Sequence, residues 1–131
     1  MTALRRTVAA AAVTLLIACG SDSTGPTAGT LTVSLTTPNS GLDGAAIVLL
    51  SAPAVPGSVT PAAGLTLWGG PVTTATQTIA LTGTLSAGTI LTLQVDDTKR
   101  VGQYSATLRQ VAATTGFALR PLAGYSLTVT K

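Results

Sequence analysis

The sequence predicts an all-β chain, built as an antiparallel β-sandwich of about seven to nine strands. Three observations predict it. Threonine makes up roughly a fifth of the 131 residues, well above ordinary usage, and β-branched side chains suit a pleated surface. Short stretches alternate apolar and hydroxyl-bearing residues with a period of two. Breaks rich in Gly, Pro, Asn and Ser separate those stretches, as turns separate short strands.

The chain opens differently. Arg5 and Arg6 precede an uncharged apolar run over residues 7–18. As a helix that run spans about 18 Å, short of the roughly 30 Å hydrocarbon core of a bilayer. It therefore reads as a signal peptide and not as a membrane span. Its end, Leu16-Ile17-Ala18-Cys19, holds the only cysteine in the chain. These four residues resemble the lipobox of bacterial lipoproteins: an aliphatic residue, a tolerated apolar one, a small one, then cysteine. Ile17 is larger than the commonest choice at its place. The resemblance implies cleavage between Ala18 and Cys19, and lipid on the Cys19 sulfur and amine. The competing readings are an ordinary secretory signal with an incidental cysteine, which would leave an unexplained lone thiol, or a buried hydrophobic helix. Several acyl chains on one residue make an anchor far stronger than a single chain, at about 0.8 kcal/mol per buried methylene. In Gram-negative lipoproteins an Asp after the cysteine favours inner-membrane retention. Gly20 stands there, so the resemblance points to the outer membrane if the source is Gram-negative.

The domain organisation follows. Residues 1–18 are the signal peptide, 19–29 the lipidated cysteine and a flexible tether, and 30–131 one sandwich domain. The tether, Gly20 to Gly29, is small and polar with one proline, and buries nothing.

Along the domain, Leu31, Val33 and Leu35 alternate with threonines and Ser34 over 30–36, a half-buried strand. Pro38-Asn39-Ser40-Gly41 and Asp43-Gly44 read as turns. Residues 45–50 are continuously apolar, consistent with a strand covered on both faces. Residues 52–64 make a long connection with a short strand near Val59, and Leu65 to Trp68 a further short strand. Over 74–85, Ile79, Leu81 and Leu85 face one way and a ladder of threonines the other. A strand over 89–95 points Leu91, Leu93 and Val95 inward. A charged loop over 96–100 follows. A strand over 104–112 points Tyr104, Ala106 and Leu108 inward, with a bulge near Gln110. Residues 117–120 form a short strand, and 125–130 closes the domain with Tyr125, Leu127 and Val129 inward. No stretch after Cys19 shows helical periodicity.

The run from Gly44-Ala45-Ala46-Ile47 through Leu81-Thr82-Gly83-Thr84-Leu85-Ser86-Ala87-Gly88-Thr89-Ile90-Leu91 to Val111-Ala112 resembles cohesin-like and carbohydrate-binding-module-like sandwiches, Ig-like in layout. The resemblance implies the fold. It brings no partner-binding motif that matches here, and such sandwiches host many functions.

Residue inventory narrows the chemistry. The net charge of +3 lies mostly in Arg5 and Arg6. Removing them leaves Lys99, Arg100, Arg109, Arg120 and Lys131 against Asp22, Asp43, Asp96 and Asp97, a near-neutral balance that argues against nucleic acid. The chain has no histidine, and Cys19 is committed to lipid. Ser–His–Asp catalysis, Cys–His catalysis and zinc sites of His and Cys are excluded. A glycosidase needs two opposed carboxylates, whereas Asp96 and Asp97 are sequence neighbours beside Lys99 and Arg100. The chain is read as no enzyme and as needing no cofactor. Asp96-Asp97 could begin a calcium site, but no EF-hand or repeat accompanies them, so they are read as a solvated loop. Trp68 is the one tryptophan. It is the candidate ligand contact if exposed, with a core or rim plug as the preferred alternative. Arg109 and Arg120 fall on outward positions and are read as solubility. The function expected is a membrane-anchored envelope lipoprotein with a non-catalytic sandwich, structural or protein-binding through a sheet edge or face. The alternative is a surface carbohydrate-binding module.

Overall fold

The computed structural model describes residues 25–69 and 71–131. The signal peptide, Ala18 and Cys19 lie outside the described residues. Eight strands run in order: β1 (Gly29–Thr36), β2 (Asp43–Ser51), β3 (Ser58–Pro61), β4 (Thr66–Trp68), β5 (Thr76–Leu85), β6 (Gly88–Val95), β7 (Ser105–Ala113) and β8 (Ser126–Thr130). They form two four-stranded sheets, β3-β6-β1-β8 and β4-β5-β2-β7. Every pairing is antiparallel. The chain is a β-sandwich, as the period-two pattern predicts.

The core is the aliphatic side chains between the two inner faces. Leu31 and Val33 of β1, Val48 of β2, Leu81 and Leu85 of β5, and Leu91 and Leu93 of β6 are completely buried. Each occupies the parity that alternation assigns it. Burying such a side chain contributes about 1.5–3 kcal/mol, so this interlayer supplies the fold's main stabilisation without a disulfide.

Six expectations are corrected. The apolar run of β2 is not covered on both faces. Ala46, Val48 and Leu50 are buried, while Ala45, Ile47 and Leu49 are half-buried. A two-layer sandwich covers only one face of a central strand. Asp43-Gly44 is no turn. The chain reverses at 38–42, with Leu42 N–H bonded to the Asn39 carbonyl, and Asp43 begins β2, fully buried. The 96–100 loop runs into a 3-10 helix, Thr98–Gln103, capped by Asp97; a turn this short has no periodicity to read. The segment 117–120 makes a single bridge, Ala112 to Leu119, and not a strand. Ile90 joins Leu91 in the core, because the β1–β6 register skips from Val33–Leu91 to Ser34–Thr89. Such a bulge turns two successive side chains the same way. The bulge expected near Gln110 falls one residue earlier, where the register passes over Arg109.

Candidate functional site

Trp68 lies on the outer face of the second sheet and is 57% exposed. The reading of this ring as a core plug is corrected by parity. Trp68 pairs with Ala80, on the outward face of β5, while its neighbour Leu67 pairs with buried Leu81 and packs on the core. The indole N–H donates to Thr82 Oγ1 at 2.7 Å. Thr82 sits on the next strand, two residues beyond Ala80, so the bond lays the ring across β5.

The register builds the rest of this face. One row crosses all four strands as Trp68, Ala80, Ile47 and Gln110, and the next as Thr66, Thr82, Ala45 and Ala112. Its floor is small side chains, and two clefts open on it. One, of about 100 Å³, is bounded by Ala45, Ala46, Ile47, Gln110, Ala112 and Leu119. The other, of about 300 Å³, lies among Gly44, Thr82, Gly83, Thr84, Thr114 and Phe117. Sequence reasoning missed Leu119 and Phe117, which rise above the face at 68% and 67% exposure. They project from the segment returning along the free edge of β7, tied by Ala113 N–H to the Ala118 carbonyl and Arg120 N–H to the Val111 carbonyl, both 2.8 Å. Phe117 holds a left-handed φ of 50° just after Gly116 at 68°. That conformation is unfavourable for a bulky residue, and the ring gains little burial from it. The one sequence sign was a phenylalanine directly after a glycine in a short return.

The first sheet's outer face has another chemistry. Thr60, Thr92, Thr32 and Thr130 form a row across its four strands, beside Ser58, Gln94 and Thr30. Gln94 Nε2 donates to Thr30 Oγ1 at 2.8 Å. This is a hydroxyl surface, whereas the second sheet's outer face adds Trp68, Ile47 and Leu49 to threonines of its own, Thr66, Thr78, Thr82 and Thr84.

Two of the domain's carboxylates, Asp43 and Asp97, are committed to hydrogen bonds. Asp43 Oδ1 accepts from Arg120 Nε at 3.1 Å, and Oδ2 accepts from the Tyr125 hydroxyl at 2.9 Å and the Thr37 hydroxyl at 3.1 Å. Asn39 Nδ2 donates to the Tyr125 oxygen at 2.9 Å. Arg120, read as a solubility residue, is thus an ion-pair partner of a buried carboxylate. Tyr125, in the turn just before β8, is half-buried with its hydroxyl in that cluster. Arg109 is exposed, as expected.

Asp97 Oδ1 accepts the Lys99 amide at 3.1 Å and the Thr27 amide at 3.2 Å. The Thr27 bond, above all, holds its carboxyl below the usual range. Lys99 Nζ donates to the Gly25 carbonyl at 2.8 Å. The Asp97 carboxylate and the Lys99 ammonium of the charged loop therefore tie down the end of the tether. Among the described residues no three His, Cys, Asp or Glu side chains cluster. Tyr104 is buried at the foot of β7, and that burial pushes its phenol above the usual value.

No known protein family matches this chain, and no curated protein or solved structure matches it.

Proposed function

We propose that this chain is a cell-envelope lipoprotein, anchored through lipid on Cys19, whose non-catalytic sandwich is a protein-binding module. The observation that carries the binding role is the placement of exposed apolar side chains. Leu42, Trp68, Phe117 and Leu119 all project at the second sheet or its upper end, each more than half exposed. Trp68 stands on β4 and Leu119 beside β7, so they flank the outer face of one sheet, and exposed apolar side chains sharing a face mark interaction surfaces. The commitment of Asp43 to three donors, together with the absence of histidine, supports the non-catalytic reading. The lipobox supports the anchor, and Gly20 supports the outer membrane in a Gram-negative source.

The anchor is tested by Cys19→Ser in the full chain. Lipid labelling is expected to vanish and the protein to leave the membrane fraction. Retention of the variant in membranes would refute anchoring through Cys19.

The second reading, a surface polysaccharide, is favoured by Trp68, whose indole lies across the sheet among threonines. Aromatic faces that stack on sugar rings report it in their fluorescence. A neutral polysaccharide that shifts and protects Trp68 emission would establish this reading. Emission indifferent to a panel of envelope and plant polysaccharides would leave the protein partner.

A further inference from the structure

We propose that the outer face of the second sheet is where two copies of this chain meet, the Trp68 ring of each seating in the Leu119 cleft of the other. The inference rests on the protein-binding reading above and names the partner.

The first argument is symmetry. In an isologous dimer the same patch meets itself, so a protrusion needs its matching hollow on the same face. The second sheet runs β4-β5-β2-β7. Trp68 sits on β4, leaning over β5. The apolar cleft lies between β2 and β7, walled by Leu119. A two-fold axis parallel to the strands, passing between β5 and β2, exchanges those two places. Heights match as well. The indole spans the rows of Ala80 and Thr82, and those rows continue into Ile47 with Gln110 and Ala45 with Ala112, which line the cleft. The indole N–H is already satisfied by Thr82, so the ring enters an apolar hollow without stranding a donor.

Charge is the second argument. Among residues of β2, β4, β5 and β7 the only charged ones are Asp43, which is buried beneath the face, and Arg109. A face almost free of charge meets its own copy without like-charge repulsion. Arg109 is exposed beside Gln110, at the edge where the other copy's Trp68 arrives, and a guanidinium is attracted to an indole face.

Size and anchoring are the third. Three strands of the face run about 30 Å and β4 about 10 Å, at about 4.8 Å per strand, roughly 500 Å² per copy against about 800 Å² for a standard interface. That is the size of a reversible dimer. Gly29 and Ser51 lie at one end of the sandwich, with Asp97 and Thr27, and Leu35, Asp43 and Leu85 at the other. The tether therefore leaves from the end away from Leu42 and Phe117. A two-fold parallel to the strands sends both tethers toward the same leaflet, and co-anchoring raises the effective concentration of each copy.

The test uses the unlipidated chain from Gly20 to Lys131, which contains all eight strands and the core. Sedimentation is expected to show a reversible dimer, with tryptophan emission moving to the blue as it forms. Trp68→Ala and Leu119→Asp are each expected to weaken association about tenfold or more, while Thr60→Asp on the opposite sheet leaves it unchanged. Mixing the two weakened variants restores one of the two ring–cleft contacts, so the mixture associates more tightly than either alone. A monomer at every concentration, a dimer indifferent to Leu119→Asp, or a mixture no tighter than its components overturns the self-association. Such a failure is separate from failure of the module reading. That reading survives if Trp68→Ala and Leu119→Asp abolish cross-linking of the anchored full chain to another envelope protein, and falls if they do not alter it.

Discussion

Asp43→Ala is expected to destabilise the sandwich by about 3 kcal/mol, the lower end of the range for breaking a buried ion pair. The carboxylate is fully buried, whereas the Arg120 side chain is 28% exposed, so solvent recovers part of the arginine's lost interaction. The remaining loss comes from the hydroxyls of Tyr125 and Thr37, which bonded the same carboxylate and are left short of an acceptor. For a domain of this size the loss corresponds to a fall in Tm of roughly 10 °C or more. Thermal unfolding followed by circular dichroism measures it, and a loss under about 1 kcal/mol would show that the cluster contributes little beyond its hydration. The network joins the β1–β2 reversal to the segment before β8, 77 and 82 residues away in sequence. Its members act as one unit, so a double-mutant cycle of Asp43→Ala with Tyr125→Phe should be non-additive.

Gly83→Ala should lower stability by about 2–5 kcal/mol, combining strain at an unfavourable φ with overpacking. Gly83 has φ of 126°, and a Cβ there would drive into the Gly64 carbonyl oxygen and press on Leu65. The backbone before β4 crosses directly over β5 at this point, so relief requires moving β4, which carries Trp68. Gly41 supplies the contrast. Its φ is 79° but a Cβ would meet open space, so Gly41→Ala should cost only about 1–2 kcal/mol. Urea denaturation of the two variants separates the effects. Equal losses would mean that backbone conformation alone, and not the close crossing, governs Gly83.

The strands were legible because an inward residue of a two-layer sandwich must be apolar while its neighbours need not be. Leu31-Thr32-Val33-Ser34-Leu35 states that rule without ambiguity. The rule weakens where the residue type does not choose a face. Along 45–50 every residue is apolar, so alternation vanished and a doubly covered strand was inferred. Trp68 was misjudged for a related reason: a large ring suggests burial, but its parity follows Leu67, and parity is set by the partner strand. Bulges act by the same logic. The skipped register at Ile90 turned inward a residue that simple counting sends outward.

The exposed apolar side chains and the Asp43 cluster were hidden for a different reason. Leu42, Trp68, Phe117 and Leu119 are far apart along the chain, and Asp43 reads as a turn former until Arg120 and Tyr125 reach it. Threonine content, period-two alternation and turn residues were enough to predict an all-β sandwich, and the inventory a chain without histidine-based chemistry, because propensity, short-range pattern and side-chain inventory are local properties. Which outer face carries the exposed indole, where the buried carboxylate of Asp43 finds its cation, and how a ring and a cleft come to lie at equal height were decided only by strand order and register. Those depend on pairings between distant segments, which no local pattern encodes.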